Sequence, residues 1–388
     1  MSTRAISASF QRLPKMACVI KGLIRRPLTQ TATYNVSIFE PIPREELVTK
    51  FKSRLRDRPL TPGSSNGGFP EFLAEPRESF PLGVRVRNSN QFSLAELTAK
   101  CMEFVEENLS HNPAILFRGL PARSAEDFSI IAQGIPWKAL TYEGGGGKRR
   151  QVDKVIGTYT ASDEPPEFTI EPHNEMAYNA VYPAKVFFFC LKEPHDGSGG
   201  ETPLVKNSEL LSKLDPDVVR KFEEKQVRYV RYLPDKSRRE YQSWQDVFET
   251  TNKKDVAPKA KEHGYNITWD SSGDLYLWQS RPVFIQHPLT GGKVWFNQLH
   301  LYHATYFQTL PEFADASIPD EKLPGHTYYG DGSVIPPDMI QHLRATMWSC
   351  AVGFQWRSSD LLVVDNLAAQ HARMSFTGDR INLVYLTE

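Results

Sequence analysis

Pro172-His173-Asn174-Glu175-Met176 decides how the rest of the chain reads. A histidine and a carboxylate stand two apart, after a proline-rich run and ahead of a strongly apolar one, Val186-Phe187-Phe188-Phe189-Cys190-Leu191. In an extended chain, side chains at i and i+2 project from the same face. An extended His173 and Glu175 would therefore bring an imidazole nitrogen and a carboxylate oxygen to one point, a good place for a divalent metal. Two ligands there leave the ion wanting a third. His371 is the candidate, between the strand-like run Leu361 to Asp365 and the last strand.

Alone, His-x-Glu fits a surface ion pair equally well, and a single His371 fits a hydrogen-bonded core histidine. Their order gives them weight: a compact pair early in the core and one histidine shortly before the final strand. Two histidines and one carboxylate with the remaining positions open form the facial triad of non-haem Fe(II) oxygenases. Arg380 opens the last strand, nine residues after His371. A guanidinium pointing into a β interior is costly without an anion, and its planar fork suits a carboxylate. Thr202 offers a hydroxyl that can join it.

Composition narrows the class. Lys plus Arg and Asp plus Glu number 46 each, so the formal net charge is zero and the chain does not read as a nucleic-acid binder. With 22 Phe, 15 Tyr and 7 Trp it can fill a large core. No apolar run approaches the roughly 20 residues of a membrane helix. Cys18, Cys101, Cys190 and Cys350 form no CxxC pair, which argues against structural zinc or a disulfide scaffold. Residues 1–39 carry Arg4, Arg12, Lys15, Lys21, Arg25 and Arg26 and no acid before Glu40. Basic, hydroxyl-rich and acid-poor is the composition of an organellar, here mitochondrial, targeting arm. A disordered basic tail in a cytoplasmic protein is the alternative.

Along the rest, residues 40–388 read as one domain. Pro59 to Pro70 is a loop. Ser93-Leu94-Ala95-Glu96 is a capping box, and Leu97, Cys101, Phe104, Val105 and Leu109 recur at helical spacing. Ala114 to Phe117 is a short buried strand, and a second helix runs from Ser124 to Ala132. Gly144 to Gly147 with Lys148 is not a phosphate loop: Arg149 follows the lysine, and Tyr142 stands where the first glycine belongs. It reads as a loop able to close over a substrate. Val155 to Thr160, Val186 to Leu191, Val227 to Tyr232, Ala351 to Trp356, Leu361 to Val364 and Arg380 to Leu386 are strand-like. Asp215-Pro216 opens a helix, Asp235 to Lys261 is a charged helical insertion on the surface, and Pro337 to Ser349 is helical. Many short strands with helices at the ends make a mainly β protein with helical decoration, a jelly roll of the cupin kind, or double-stranded β-helix.

Several stretches together resemble the TauD/TfdA family of Fe(II)/2-oxoglutarate-dependent dioxygenases, especially its clavaminate synthase-like branch. They are His173-Asn174-Glu175-Met176-Ala177, Tyr182 to Cys190, Gly199-Gly200-Glu201-Thr202-Pro203, Val227 to Arg231, Lys293 to Asn297 and Leu361 to Asn366. The resemblance spans roughly Asn88 to the C-terminus. It implies Fe(II) bound by His173, Glu175 and His371, with 2-oxoglutarate held by Thr202 and Arg380 and O2 as oxidant. No separate acid–base catalyst is implied. Glu175 is the choice of that branch, and because halogenases have a small residue there, it argues against halogenation. Relatives often carry a second arginine where Ile381 follows Arg380. The substrate is a small molecule, such as an amino or carboxylic acid, with its side of the pocket near Gly144 to Arg150 and Asn297. The alternatives are a Zn or Mn enzyme on the same scaffold and a catalytically silent jelly-roll metal-binding protein.

Overall fold

Alternation along the strand Lys185–Lys192 sets the architecture. Val186, Phe188 and Cys190 face one way and Phe187 and Phe189 the other, and all five are buried. The first set packs with Leu116, Leu362, Val364, Val384 and Leu386 of the same sheet and with Leu204 and Ala369 of a second sheet. On the other face, Phe189 stacks on Phe128 of the helix Ala125–Gln133 at 5.2 Å, and Phe187 on Trp137 at 6.1 Å. A strand covered on both faces needs apolar residues at every position, which accounts for the unbroken run.

The computed structural model describes residues 38–55, 59–65, 67–142, 149–238, 242–313 and 317–388. Its main sheet has eight strands, in spatial order Phe39–Pro41, Leu82–Val86, Ala114–Arg118, Leu361–Asp365, Lys185–Lys192, Ile381–Thr387, Thr158–Thr160 and Gln151–Asp153. Facing it is a three-stranded sheet with Ala369–Arg373 between Ile170–His173 and Leu204–Lys206. The two sheets close on the shared apolar layer as a double-stranded β-helix. A four-stranded sheet extends the molecule, in the order Asn266–Trp269, Leu275–Arg281, Val227–Leu233 and Gly325–Tyr329.

The helices form where their caps lie. Ser93 and Ser124 each make a complete capping box, opening the helices Leu94–Asn108 and Ala125–Gln133. Asp215 caps the helix Pro216–Lys225. No helix among the described residues is long and apolar enough to cross a membrane. Cys101, Cys190 and Cys350 are buried free thiols.

Four expectations need correction. Val155 to Thr160 is not one strand: a turn precedes Thr158–Thr160, and Val155 is 92% exposed at its tip. Ala351 to Trp356 is buried but makes only isolated bridges, Val352 with Ala74 and with Leu204. Its apolar character reflects burial rather than a ladder. The insertion around 235–261 does carry the helices Trp244–Phe248 and Lys253–Glu262. It is not merely on the surface, because Trp244, Phe248, Val256 and Ala260 bury a core of their own against Leu233, Leu275 and Leu277. The stretch ahead of the first capping box, where the sequence marks only the loop Pro59 to Pro70, supplies two strands of the main sheet, Phe39–Pro41 and Leu82–Val86. Residues 1–37 of the expected targeting arm and 143–148 of the glycine loop lie outside the described residues.

Candidate metal centre

His173 ends the strand Ile170–His173, and its antiparallel neighbour across the ladder is His371, inside Ala369–Arg373. Their rings lie 4.4 Å apart between centroids. The register shifts between His371 and Arg373, the kind of irregularity that re-aims side chains beside functional sites. Glu175 is not in the strand, as the extended reading would have it. It opens a turn whose next residue, Met176, has φ +55°. The convergence survives because Asn366 clamps that turn: its Oδ1 accepts from the Glu175 N–H at 2.6 Å, and its Nδ2 donates to the Glu175 carbonyl at 3.0 Å.

Glu175 Oε2 lies 3.3 Å from His371 Nε2 and 3.9 Å from His173 Nε2. One ligand atom from each of the three lies within 4.8 Å of the others, and all three residues are buried. His173 Nδ1 is 2.8 Å from the Glu171 carbonyl. A carbonyl can only accept, so Nδ1 carries the proton and Nε2 turns a lone pair inward, the usual arrangement of a metal-bound histidine. Burial, aided by His371, pushes the His173 imidazole down to about 3, so it stays neutral. Burial alone would raise the Glu175 carboxyl, but the Arg149 guanidinium and both imidazoles hold it well below its ordinary range. Two imidazoles and an ionised carboxylate are a donor set that fits Fe(II).

Thr202 and Arg380 meet in the same cavity, whose volume is about 720 Å³. Arg380 Nη2 donates to Thr202 Oγ1 at 3.2 Å, and its Nε donates to the Gly200 carbonyl at 2.7 Å. Trp356 Nε1 also donates to Thr202 Oγ1, at 3.0 Å. With both lone pairs engaged, the threonine keeps its own O–H to give. Arg380 makes no salt bridge to a carboxylate among the described residues. Burial, with Arg373 nearby, pushes its guanidinium down to about 10. A part-buried cation beside an available hydroxyl donor is a cradle for a carboxylate. Gly199 and Gly200 make it possible: both have φ near +80°, and a Cβ on Gly200 would lie 2.9 Å from Arg380 Cδ.

Residues 78–386 match the model of the family described as taurine catabolism dioxygenase TauD, TfdA family. The chain belongs to the TauD/TfdA family of Fe(II)/2-oxoglutarate-dependent dioxygenases. It is 33% identical to the dapdiamide synthesis protein DdaC of Enterobacter agglomerans over 288 residues, covering 73% of this chain and 84% of DdaC. It is 28% identical to a clavaminate synthase-like protein of Arabidopsis thaliana over 320 residues, covering 80% of this chain and 91% of the relative. Among solved structures, PvcB from Pseudomonas aeruginosa aligns with a TM-score of 0.44 at 16% identity, over 87% of this chain and 94% of PvcB.

Enzymes of the TauD/TfdA family use Fe(II), 2-oxoglutarate and O2, and this dioxygenase brings together all five residues expected to handle the first two. In the sequence, Trp356 and Asn366 have no role of their own, and Arg149 has only a place in the stretch Gly144 to Arg150 on the substrate's side. Arg149 Nη2 donates to Glu175 Oε2 at 2.7 Å, from just beyond the glycine loop. Asn297 spends its amide on backbone groups, with Nδ2 on the Val283 carbonyl at 3.3 Å. Its neighbour Gln298 lines the cavity instead and donates to the Asn174 carbonyl at 2.5 Å.

Proposed function

We propose that His173, Glu175 and His371 hold the Fe(II), that Thr202 and Arg380 hold the distal carboxylate of 2-oxoglutarate, and that the substrate is a small amino or carboxylic acid. The observation that carries this reading is the convergence of one ligand atom each from His173, Glu175 and His371 inside 4.8 Å. When bound, iron and 2-oxoglutarate couple O2 reduction and decarboxylation, with release of succinate and CO2, to hydroxylation or desaturation of a C–H bond. The chain's own residues prepare the site. Glu171 sets the His173 tautomer, Asn366 aims Glu175, and Thr202 with Arg380 orients the cosubstrate. Tyr178, Tyr302, Phe188 and Phe307 give the cavity an aromatic wall that limits water.

The Arg380 cradle favours this reading over a Zn or Mn hydrolase or isomerase, which has no use for a guanidinium set to receive a dicarboxylate. Anaerobic addition of Fe(II) and 2-oxoglutarate should produce a visible charge-transfer band that is absent in His371→Ala. No band in the wild-type protein would sink the assignment. Succinate release across a panel of small amino and carboxylic acids would then identify the substrate.

Residues 40–388 are proposed as a single dioxygenase domain, preceded by a mitochondrial targeting arm. The support for the arm is compositional: six basic residues before the first acid, Glu40. Residues 1–39 fused to a fluorescent reporter should direct it to mitochondria, and diffuse cytoplasmic fluorescence would refute the assignment.

A further inference from the structure

The Arg149 guanidinium has two edges, and only one is used. Nη2 holds Glu175 Oε2 at 2.7 Å. Nη1 is buried and has no hydrogen-bond partner. The side chain is 7% exposed, and its Cζ packs over the Tyr142 ring, 4.4 Å from the centroid. Arg149, Tyr142 and Glu175 all line the cavity that holds His173 and His371.

We propose that Arg149 anchors the substrate: its Nη2 edge steadies Glu175, and its Nη1 edge receives a carboxylate of the molecule to be oxidised. The inference rests on the metal and cosubstrate reading of the same site and names the residue that receives the substrate's carboxylate, which that reading leaves open.

Three observations lead there. A buried N–H group without an acceptor is unfavourable unless a ligand supplies one. Glu175 is the only carboxylate paired with Arg149 among the described residues. A divalent ion claiming Glu175 Oε2 leaves the guanidinium charge in excess, beside whatever occupies the cavity. The lining holds further positive charge. Arg231 gives Nη2 to the neutral Gln242 amide at 3.2 Å, and Arg373 spends its two Nη groups on the Glu164, Pro165 and Phe168 carbonyls. Glu164 and Glu312 are the other acids of the lining. Arg380 is assigned to the distal carboxylate of 2-oxoglutarate, so the substrate's carboxylate falls to Arg149. A planar fork with a free edge matches that group in shape as well as charge.

The test uses acetate as probe and acetamide as its neutral control. The full chain is loaded with Co(II), saturated with 2-oxoglutarate under argon, and followed by the Co(II) ligand-field spectrum. Acetate should cause a saturable change, and acetamide should bind at least tenfold more weakly. Arg149→Met should weaken acetate at least tenfold. Arg149→Lys keeps a cation for Glu175 but loses the second edge, and it should also weaken acetate at least tenfold, which guards against a folding defect in the methionine variant. The anchor is overturned if acetate gives no saturable change, if acetamide binds as tightly, or if Arg149→Lys loses less than tenfold. If wild-type protein forms no Co(II)–2-oxoglutarate complex, the metal reading fails first and the anchor falls with it.

Discussion

Asn366 closes on the backbone of Glu175 from both sides, accepting from its N–H at 2.6 Å and donating to its carbonyl at 3.0 Å. The same Nδ2 reaches the Pro183 carbonyl at 2.7 Å, and the Asn366 carbonyl accepts from Asn174 Nδ2 at 2.6 Å. One buried carboxamide thus ties the strand end at Asp365 to the turn that aims Glu175. Asn366→Asp keeps the shape but turns an acceptor toward two carbonyls. Burying those mismatched groups should cost about 1–3 kcal/mol of stability. Fe(II) affinity measured anaerobically by calorimetry should fall at least tenfold. Wild-type metal affinity in Asn366→Asp would show that the clamp does not position the ligand.

Arg380 and Thr202 should act unequally on 2-oxoglutarate. Losing a charged donor removes about 1.5–3 kcal/mol, and losing a neutral hydroxyl about 0.5–1.5 kcal/mol. Arg380→Ala should therefore raise the 2-oxoglutarate Kd by roughly ten- to a hundredfold, and Thr202→Val by about tenfold or less. Gly200→Ala should resemble the arginine variant, because its Cβ would displace the Arg380 side chain and strain a backbone at φ +80°. Titration of 2-oxoglutarate into the anaerobic Fe(II) protein checks the order, and an Arg380→Ala variant with unchanged Kd would remove the cradle.

Local signals in the sequence were strong wherever one interaction dominates. Ser93 and Ser124 announce their helices because capping is complete within four residues. Phe187 to Phe189 announce the core strand because both its faces are covered. His173, Glu175 and His371 could be marked by chemical type and order, but the pairing of His173 with His371 across the ladder is tertiary. Arg149 lies 26 residues from Glu175, and the basic run Lys148-Arg149-Arg150 after the glycines does not show which side chain turns inward. Trp356 and Asn366 act through tertiary hydrogen bonds that no period encodes. Ala351 to Trp356 misled because burial and strand pairing leave the same apolar trace.

Behind the metal strand, Glu171 holds a charge that Arg344 and Trp348 answer. Arg344 Nη2 lies 3.0 Å from Oε1, and Trp348 Nε1 donates to Oε2 at 2.6 Å, with the Arg344 and Glu171 side chains 3% and 1% exposed. Removing one partner of a buried pair strands the other charge, at a cost of about 3–5 kcal/mol. Arg344→Met should lower urea-unfolding stability by that amount. It should also weaken metal binding, because the Glu171 carbonyl carries His173 Nδ1. A loss below about 1 kcal/mol, the range of exposed pairs, would mean that Glu171 is not held as an ion.

Acid should unfold the metal-free protein through histidines outside the metal centre. His300 is buried against the Pro172 carbonyl, and burial pushes its imidazole down to about 4. His303 and His326 pack ring to ring at 4.4 Å. Burial pushes both below their ordinary value, His303 well below, with His326 opposing its charge. In the unfolded chain these groups take a proton near pH 6.5, and in the folded chain they resist it. The unfolded state therefore binds more protons as pH falls below about 6.5, and stability declines with pH. The expected slope is up to about 1.4 kcal/mol per pH unit for each such histidine. Urea midpoints at pH 7.5, 6 and 5 should fall in that order, and His300→Gln should flatten the decline by close to one proton's worth. A midpoint unchanged between pH 7.5 and 5 would mean that these rings titrate in the fold as they do in the unfolded chain.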